Sequence, residues 1–426
     1  MEYNKSGYCV GFSEHPNFKT LLRRKTKMKK LLALVLAVLM LVTLAACGGN
    51  ADDNAAKDIK VGFICLHDEK STYDLNFLNG VDEVKKALNL KDDQVIVKTN
   101  VPEGDECYQA AADLVDQGCN VIFANSFGHE DFMIKAAKEF KDVQFCHATG
   151  TKAHTEGLSN YHNAFASIYE GRYLAGVAAG LKLKEMMAAD STVVPKMGYV
   201  GAFTYAEVIS GYTSFYLGAK SVVPEVTMDV QFTGSWYDAV EEKNAAEALI
   251  AKGCVLISQH ADSMGAPSAC EAAKVPNVSY NGSTKEACPN TFIVSSRINW
   301  APYYQYMIEC VQKGEAIAAD WTGGIKEGSV VLTEINETAA AEGTAAKIEE
   351  VKKGIMDGTV NVFDTKNFTV GQAAVAADHK ADVDTDDAYT PDTVVVENGV
   401  FKESKFRSAP YFDLRIDGIT LLNEKF

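Results

Sequence analysis

The sequence lacks any apolar run long enough to cross a membrane as a helix. The one candidate extends from Leu31 to Ala46, 16 residues with Thr43 as a polar interruption, whereas a spanning helix needs about 20 residues. Positive charge is also scarce, because the 426 residues carry 41 Lys and Arg against 57 Asp and Glu, a net charge of -16. Such an acidic chain repels phosphate backbones, which disfavours nucleic-acid binding.

Catalytic and metal-binding motifs are absent as well. The sequence contains no G-x-S-x-G elbow, no H-E-x-x-H motif and no G-x-x-x-x-G-K-[ST] loop, and it has no CxxC or Cys/His spacing typical of a metal site. His260 and Asp262 have the spacing of acid–base partners, but no nucleophile is spaced to join them. We therefore expect a binding protein and not an enzyme, without cofactor or metal.

Residues 1–46 are predicted to form a signal peptide. Six Lys and Arg residues between Arg23 and Lys30 precede the apolar run, and this order of a basic region, an apolar core and small residues is typical of secretory signals. Residues 1–27 add nothing that a signal needs, so Met28 is the more natural start.

The apolar run ends in Leu44-Ala45-Ala46-Cys47-Gly48, which resembles the lipobox of bacterial lipoproteins. The resemblance implies that Cys47 is lipidated, that residues 47–57 form a tether, and that the protein is held on the extracellular or periplasmic face of the cell membrane. An ordinary signal peptide with a chance cysteine is the alternative.

Ten cysteines are present, and eight of them follow Cys47. An even number in an exported protein is consistent with disulfides. However, Cys65, Cys119, Cys146 and Cys254 lie in or beside apolar runs, where a thiol behaves as a small buried hydrophobe. We expect free thiols.

The remainder of the chain alternates apolar strands with helices in two series. The predicted strands are Ile59–Leu66, Gln94–Lys98, Asn120–Ala124 and Val143–Cys146, then Met197–Val200, Thr227–Phe232, Cys254–Ser258, Asn277–Tyr280 and Phe292–Ser295. Helices are predicted in the second series near Glu207–Ala219, Asp238–Lys252 and Ala266–Lys274. Continuous apolar strands joined by helices indicate parallel sheets covered on both faces. Two such series predict an α/β fold with two Rossmann-like lobes.

The loops that follow the strands carry the candidate ligand-binding residues, because open parallel sheets bind ligands beyond the carboxyl ends of their strands. These loops hold aromatic rings beside amide, hydroxyl and carboxyl groups. The candidates are Tyr73, Asp74, Asn76, Ser126, Phe127, Phe203, Tyr205, Trp236, Asp238, His260, Asp262 and Asn281. Flat rings with a few polar groups suit a planar heteroaromatic ligand such as a nucleobase. A sugar-binding cleft has a similar composition.

Several of these residues also have a structural interpretation. Asp238 is followed by Glu241 at the spacing of a capping box, so it is either a helix cap or a ligand contact, and Asp74 is open to the same two interpretations. Trp236 is either a cleft residue or packing between the lobes, and His260 is either a ligand contact or a hydrogen-bonded histidine at a strand end.

Motifs spread along the chain resemble the basic membrane protein family, the substrate-binding lipoproteins of nucleoside-type ABC importers. The motifs are the lipobox, the loop 71–80, the segment Tyr169-Glu170-Gly171-Arg172-Tyr173-Leu174-Ala175-Gly176, and residues 201–218. Residues 235–238, 259–263, 298–304 and 407–412 resemble the branch of the family associated with purine bases. The similarity extends from Ile59 to residue 426.

Two departures from the family pattern concern the ligand. The nucleoside binders of the family carry Asp-x-x-Ser-Phe-Asn with a stacking Phe, where this chain has Thr72-Tyr73-Asp74 in place of Ser-Phe-Asn. They also hold the ribose with an Asp and a Lys, and by register those positions are Asn281 and Asn299 here. Asn299 therefore joins the candidate site residues. The departures favour a free purine base and leave a nucleoside as the alternative.

The resemblance implies a type I periplasmic-binding-protein fold with three hinge crossovers, near Ala166, Ser296 and Asp320. The predicted lobes are residues 58–165 plus 296–320 and residues 166–295 plus 321–426. A monomer would capture the purine by lobe closure and present it to a permease, while a separate ATPase subunit supplies the energy. A lipoprotein that senses its ligand instead of importing it is the alternative.

Overall fold

The computed structural model describes residues 59–383 and 390–426. The predicted signal peptide, Cys47 and the tether lie outside the described residues. Within the described ranges, no helix combines the length and the apolar character that crossing a membrane requires.

The described elements alternate strands and helices along most of the chain. The strands are β1 (Val61–Ile64), β2 (Val95–Lys98), β3 (Val121–Ala124), β4 (Gln144–Ala148), β5 (Tyr161–Ala166), β6 (Lys196–Gly201), β7 (Thr227–Phe232), β8 (Leu256–His260), β9 (Asn277–Tyr280), β10 (Phe292–Ile298), β11 (Asp320–Gly323), β12 (Val330–Leu332), β13 (Lys380–Ala381), β14 (Thr393–Val394), β15 (Val396–Glu397), β16 (Val400–Phe401) and β17 (Ile419–Leu421). The helices are α1 (Thr72–Ala87), α2 (Asp105–Asp116), α3 (Glu130–Glu139), α4 (Ala153–Glu156), α5 (Ile168–Ala189), α6 (Ala206–Lys220), α7 (Ala239–Ala251), α8 (Gly265–Ala273), α9 (Ala301–Lys313) and α10 (Thr344–Met356).

Two sheets define two lobes. The first lobe has the strand order β11-β5-β4-β3-β1-β2, and the second has β12-β10-β9-β8-β6-β7-β17. All neighbouring strands in these sheets run parallel except β12, which is antiparallel to β10. The predicted α/β fold with two Rossmann-like lobes is confirmed.

Buried apolar residues cover both faces of each sheet, which explains the continuous apolar strands. In the first lobe, Val61 and Phe63 of β1 face the core under α1 and α9, while Ile64 faces the core under α2 and α3. In the second lobe, α5 and α6 cover one face, and α7 and α8 cover the other. Helices on both faces leave the carboxyl ends of the strands open for a site.

The chain passes between the lobes three times. The passages follow β5, β10 and β11, and the first and third are linked because Glu170 Oε2 accepts a hydrogen bond from Ile325 N at 2.7 Å. The boundaries predicted at residues 296 and 320 fall inside strands, since β10 continues to Ile298 and Asp320–Gly323 pairs with β5 in the first sheet. The ends of β10 and β11, and with them the boundaries of the lobes, are set by pairing with strands that are distant in the sequence. The local sequence does not reveal this pairing.

The eight cysteines of the described residues are all buried, and none pairs with another. Burial raises the pKa of each thiol, for example to about 12 for Cys146, so the unreactive protonated form is favoured. The prediction of free thiols is confirmed for this part of the chain.

Candidate ligand-binding site

A narrow cavity lies between the lobes at the carboxyl ends of the strands and encloses about 380 Å³ together with its opening. Its walls combine aromatic rings with carboxyl and hydroxyl groups from both lobes. The lining residues are Leu66, Tyr73, Asp74, Ser126, Phe127, Thr149, Glu207, Trp236, His260, Asp262 and Tyr280. Seven of the predicted site residues are among them, namely Tyr73, Asp74, Ser126, Phe127, Trp236, His260 and Asp262.

The first turn of α1 supplies Tyr73 and Asp74. Ser71 caps this helix by accepting a hydrogen bond from Asp74 N at 3.1 Å, so the carboxylate of Asp74 is not the cap. Asp74 Oδ1 accepts from His67 N at 3.1 Å and from Asn125 Nδ2 at 2.7 Å, while Oδ2 is buried without a hydrogen-bond partner in the described part of the chain. Tyr73 donates its hydroxyl proton to the Asn125 carbonyl at 2.6 Å. A fixed ring therefore lies beside an unused carboxylate oxygen.

Aromatic rings of both lobes meet at the entrance of the cavity. Phe127, which is 39% exposed, stacks on Tyr205 of the second lobe with ring centres 5.3 Å apart. Tyr205 stacks in turn on Phe203 at 5.2 Å, and Phe203 meets Trp236 edge-on at 5.1 Å. The predicted residues Phe203 and Tyr205 thus support the lining rings without lining the cavity themselves.

His260 lies at the end of β8 on the wall formed by the second lobe. Its Nε2 is 3.3 Å from Glu207 Oε1, and its ring centre is 4.5 Å from that of Tyr280. Burial lowers the pKa of His260, because a charged imidazole loses its hydration. The contact between Nε2 and Glu207 Oε1 is a hydrogen bond that fixes the orientation of the ring on this wall.

Asp262 is buried in the same wall, two residues after β8. Burial raises the pKa of Asp262 well above its ordinary value, and the nearby carboxylates of Asp74, Glu242 and Glu207 raise it further. A protonated carboxyl group both donates and accepts a hydrogen bond. Among the described residues, three acids and no Lys or Arg line the cavity, so the site favours ligands with N–H or O–H donors.

Hydrogen bonds join the lobes beside the cavity. The backbone N and the hydroxyl of Thr72 both donate to the carbonyl of Asp262, each at 3.2 Å. Asn76 Nδ2 donates to Asn281 Oδ1 at 3.0 Å, and Asn281 has a φ of 64°, which asparagine tolerates better than most residues. The predicted residues Asn76 and Asn281 therefore contact each other across the lobes and do not line the cavity.

Two predicted site residues serve helix starts away from the cavity. Asp238 Oδ1 accepts from Val240 N and Glu241 N, both at 3.0 Å, so Asp238 caps α7. Asn299 Oδ1 accepts from Ala301 N at 3.2 Å at the start of α9. The first N–H groups of a helix need such acceptors because they have no partner within the helix. The two side chains that were predicted to contact the ligand therefore accept hydrogen bonds from helix N–H groups instead.

Leu66, Thr149, Glu207 and Tyr280 line the cavity although the sequence interpretation did not select them. Leu66 and Tyr280 are the last residues of predicted strands, and Glu207 is the first residue of a predicted helix. Thr149 follows β4, whose end extends two residues beyond its predicted position. These four residues could have been selected from the sequence if the residues at the ends of the predicted strands and helices had been included with the loops.

The polar groups of the cavity are arranged for binding. The Ser126 hydroxyl donates to Glu103 Oε1 at 2.5 Å, and the Thr149 hydroxyl donates to the Ala148 carbonyl at 2.5 Å, so neither is paired with His260 as an activated nucleophile would be. Within residues 59–383 and 390–426, no cluster of His, Cys, Asp and Glu is arranged to hold a metal ion.

The cap interaction yields a prediction for Asp238. Replacing Asp238 with Ala should lower the free energy of unfolding by about 1 kcal/mol, because two N–H groups of α7 lose their acceptor. If the cavity binds the purine base that the sequence resemblance implies, the affinity for that base should stay unchanged, since Asp238 does not line the cavity. Thermal denaturation and calorimetric titration measure the two effects, and a loss of affinity of about tenfold in a folded variant would return Asp238 to the ligand site.

Residues 65–366 match the Bmp family, described as PnrA-like substrate-binding proteins of ABC transporters. A purine-binding protein of Brucella abortus is 32% identical over 319 residues, which cover 74% of this chain and 85% of the relative. A Haloferax volcanii protein provisionally named as an ABC transporter glucose-binding protein is 34% identical over 52% of this chain and 54% of its own length. An ABC transporter nucleoside-binding protein of Lactococcus lactis is 31% identical over 40% of this chain and 44% of its own.

Solved structures share the architecture. An ABC transporter solute-binding protein of Aeropyrum pernix superposes with a TM-score of 0.59 at 17% identity, over 74% of this chain and 94% of that structure. At this identity the likeness concerns the fold alone. The match to the family covers most of the chain, and the described site lies largely within it. The chain belongs to the Bmp family of ABC transporter substrate-binding proteins.

Proposed function

We propose that this protein captures a free purine base and delivers it to the permease of an ABC importer. The observation that carries the proposal is the cavity between the lobes, where the rings of Tyr73, Trp236 and Tyr280 lie beside the carboxyl groups of Asp74 and Asp262. Aromatic rings suit the flat face of a purine, and carboxyl groups suit the N–H and ring-nitrogen positions on its edge. The name of the Brucella relative, a purine-binding protein, agrees with this assignment.

Capture would proceed by closure of the lobes around the base. Tyr73 and Asp74 belong to the first lobe, and Trp236 and Asp262 belong to the second, so a bound base contacts both lobes only when they are closed. A ligand shifts such an equilibrium by its difference in affinity for the two states. The hydrogen bonds from Thr72 to the Asp262 carbonyl would stabilise the closed state. The three chain passages between the lobes would act as the hinges.

A free base is favoured over a nucleoside by two asparagines. Asn281 and Asn299 stand where the nucleoside binders of the resembled family hold the ribose, and here their side chains are engaged by Asn76 and by the start of α9. The ribose hydroxyls would then lack the charged partners that hold them in those binders, and each hydroxyl left without a partner would cost about 1–3 kcal/mol. The alternative is a nucleoside receptor, as the name of the Lactococcus relative indicates for that protein.

Export and anchoring complete the proposal. Cys47 follows a lipobox-like segment, so we infer that its acyl chains hold a monomeric protein on the extracellular or periplasmic face of the membrane. A ligand sensor would have the same anchor and the same cavity, and genes for a permease and an ATPase beside this one would distinguish an importer from a sensor.

Paired titrations test the ligand. Adenine should bind at least about tenfold more tightly than adenosine, and hypoxanthine at least about tenfold more tightly than inosine. One unpaired ribose hydroxyl already weakens binding by about that factor. Calorimetry on one protein preparation measures all four ligands, with glucose as the control. Tighter binding of both nucleosides would make the protein a nucleoside receptor, and binding of glucose alone would make it a sugar receptor.

Ring substitutions test the stacking contacts. Tyr73→Ala and Trp236→Ala should each weaken adenine binding by roughly 5- to 150-fold, because stacking on one ring contributes about 1–3 kcal/mol. Tyr73→Phe is the matched control, since it keeps the ring and removes only the hydrogen bond to the Asn125 carbonyl. Folded alanine variants with the affinity of the parent would mean that these rings only pack between the lobes.

Substitution of Cys47 tests the anchor. Cys47→Ala should move the protein from the membrane fraction to the soluble fraction, because each buried CH₂ of an acyl chain contributes about 0.8 kcal/mol to membrane binding. Adenine affinity should be unchanged. Detergent phase partitioning of the parent and the variant measures the effect, and equal partitioning of the two proteins would contradict the lipoprotein assignment.

A further inference from the structure

A second, larger cavity lies between the lobes beside the ligand cavity and is open to solvent. We call it the outer cavity, and it encloses about 1140 Å³ together with its open side. Phe127, Thr149 and Glu207 line both cavities. These three residues therefore stand between the two spaces, and Phe127 contributes the one aromatic ring among them.

Phe127 and Tyr205 form the boundary between the two cavities with one ring from each lobe. Their ring centres are 5.3 Å apart and their planes are inclined by 28°, which is the geometry of stacked rings. Tyr205 lines only the outer of the two cavities, whereas Phe127 lines both. Contact between the rings leaves no room between them, so a ligand that reached from one cavity into the other at this point would have to displace the stack.

Glu103 holds the chain on both sides of Phe127. Its Oε1 accepts a hydrogen bond from the Ser126 hydroxyl at 2.5 Å and another from Gly128 N at 2.9 Å. Glycine permits this close approach, because a Cβ atom added to Gly128 would lie 2.7 Å from Glu103 Cδ. Glu103 lines neither of the two described cavities, so any effect that it has on a ligand passes through the loop that carries Phe127.

Two fully buried histidines hold the backbone of Ser126. His129 Nδ1 accepts a hydrogen bond from Ser126 N at 3.3 Å, and His147 Nε2 donates to the Ser126 carbonyl at 2.6 Å. The N–H, the carbonyl and the hydroxyl of Ser126 are thus all engaged. The residue before Phe127 is therefore fixed by the protein itself, and a ring that is fixed in advance loses little freedom when a ligand binds.

We propose that Phe127 is a specificity-determining residue of the ligand site. Its ring, held by Glu103 and stacked on Tyr205, ends the ligand cavity and limits the ligand to about the size of a purine base. This inference rests on the proposed function, because it names the side chain that excludes a ribose substituent. Size is an effective criterion, since one methylene group more or less in a pocket already changes discrimination by about 10- to 200-fold.

The outer cavity contains the space and the polar groups that a larger ligand needs. Its walls carry hydroxyl, carboxyl and guanidinium groups, which are those of Thr149, Thr151, Thr204, Glu207, Arg407 and Arg415. Such groups form hydrogen bonds with the hydroxyls of a sugar. Without the ring of Phe127 the two cavities would join, so a nucleoside would place its base in the ligand cavity and its ribose in the outer cavity.

The experiment measures the affinities for adenine and adenosine by calorimetry in the parent protein and in Phe127→Ala. The ratio of the adenosine affinity to the adenine affinity should rise at least about tenfold in the variant, because the steric limit on the ligand is removed. Phe127→Leu keeps part of the side-chain volume and should raise the ratio less. Phe127 is 39% exposed, so the variants should fold.

Tyr237→Ala is the matched control for the loss of a ring. Tyr237 is 38% exposed, and its ring also meets a ring of the other lobe, that of His67, with the centres 5.6 Å apart. It lines neither of the two described cavities. The variant therefore loses a ring contact between the lobes without joining the cavities, and its affinity ratio should equal that of the parent.

Substitution of Glu103 tests whether this residue acts through Phe127. Glu103→Ala should raise the ratio less than Phe127→Ala does, and combining the two should give the ratio of Phe127→Ala within about twofold. Glu103→Gln keeps an acceptor oxygen and should keep the ratio of the parent, as should Glu106→Ala, which removes an exposed acid three residues further along the chain. In the ligand-free protein, the amide hydrogen of Gly128 should exchange faster in Glu103→Ala than in these two controls.

An unchanged affinity ratio in folded Phe127→Ala would overturn the inference. Glucose and maltose are titrated as a second pair of a smaller and a larger ligand. A parent that binds glucose and no purine would refute the proposed function, and the ratio of the maltose affinity to the glucose affinity would then decide the role of Phe127 in the same way. A parent that prefers adenosine would refute the preference for a free base, whereas a further rise of the ratio in Phe127→Ala would still support the inference.

Discussion

Burial of ionisable groups where the two lobes meet is the constraint on which the rest of the structure depends. Asp74, His260 and Asp262 are each at most 5% exposed, and ionisable groups withdrawn from water are costly unless hydrogen bonds or opposite charges compensate them. Two N–H groups of the first lobe hold Asp74, and Glu207 holds His260. Each lobe therefore fixes its own polar groups in advance, which reduces the side-chain entropy that the protein must lose when a ligand binds.

The fold was largely predictable because its sheets consist of short buried apolar strands. The bounds of β7 and β9 are those predicted, Thr227–Phe232 and Asn277–Tyr280. Strand β5 was missed, since Tyr161–Ala166 includes His162 and Asn163, which an apolar-run criterion rejects. In the structure, Asn163 Oδ1 accepts from Ala153 N at 2.7 Å, and a contact of that kind compensates the buried amide without leaving a local signal in the sequence.

The site was only partly predictable, because the same residue types serve two purposes at strand ends. An Asp or Asn after a strand either contacts a ligand or satisfies the first N–H groups of the next helix, and Asp238 and Asn299 do the second. Arg172 shows that the burial of a charged residue is equally hard to predict. An arginine in a helical segment is usually solvated, and only the packing of α5 against its neighbours places it behind Tyr280.

The pairing of β17 with β7 has a consequence for the time at which the protein folds. Phe232 N donates to Asn423 Oδ1, a residue 191 positions further along the chain, so an edge of the second sheet stays open until the ribosome has made that late segment. Contacts between such distant residues form slowly. The second sheet is therefore completed only after that segment has been made, so the second lobe reaches its final form later than pairing between neighbouring strands alone would allow.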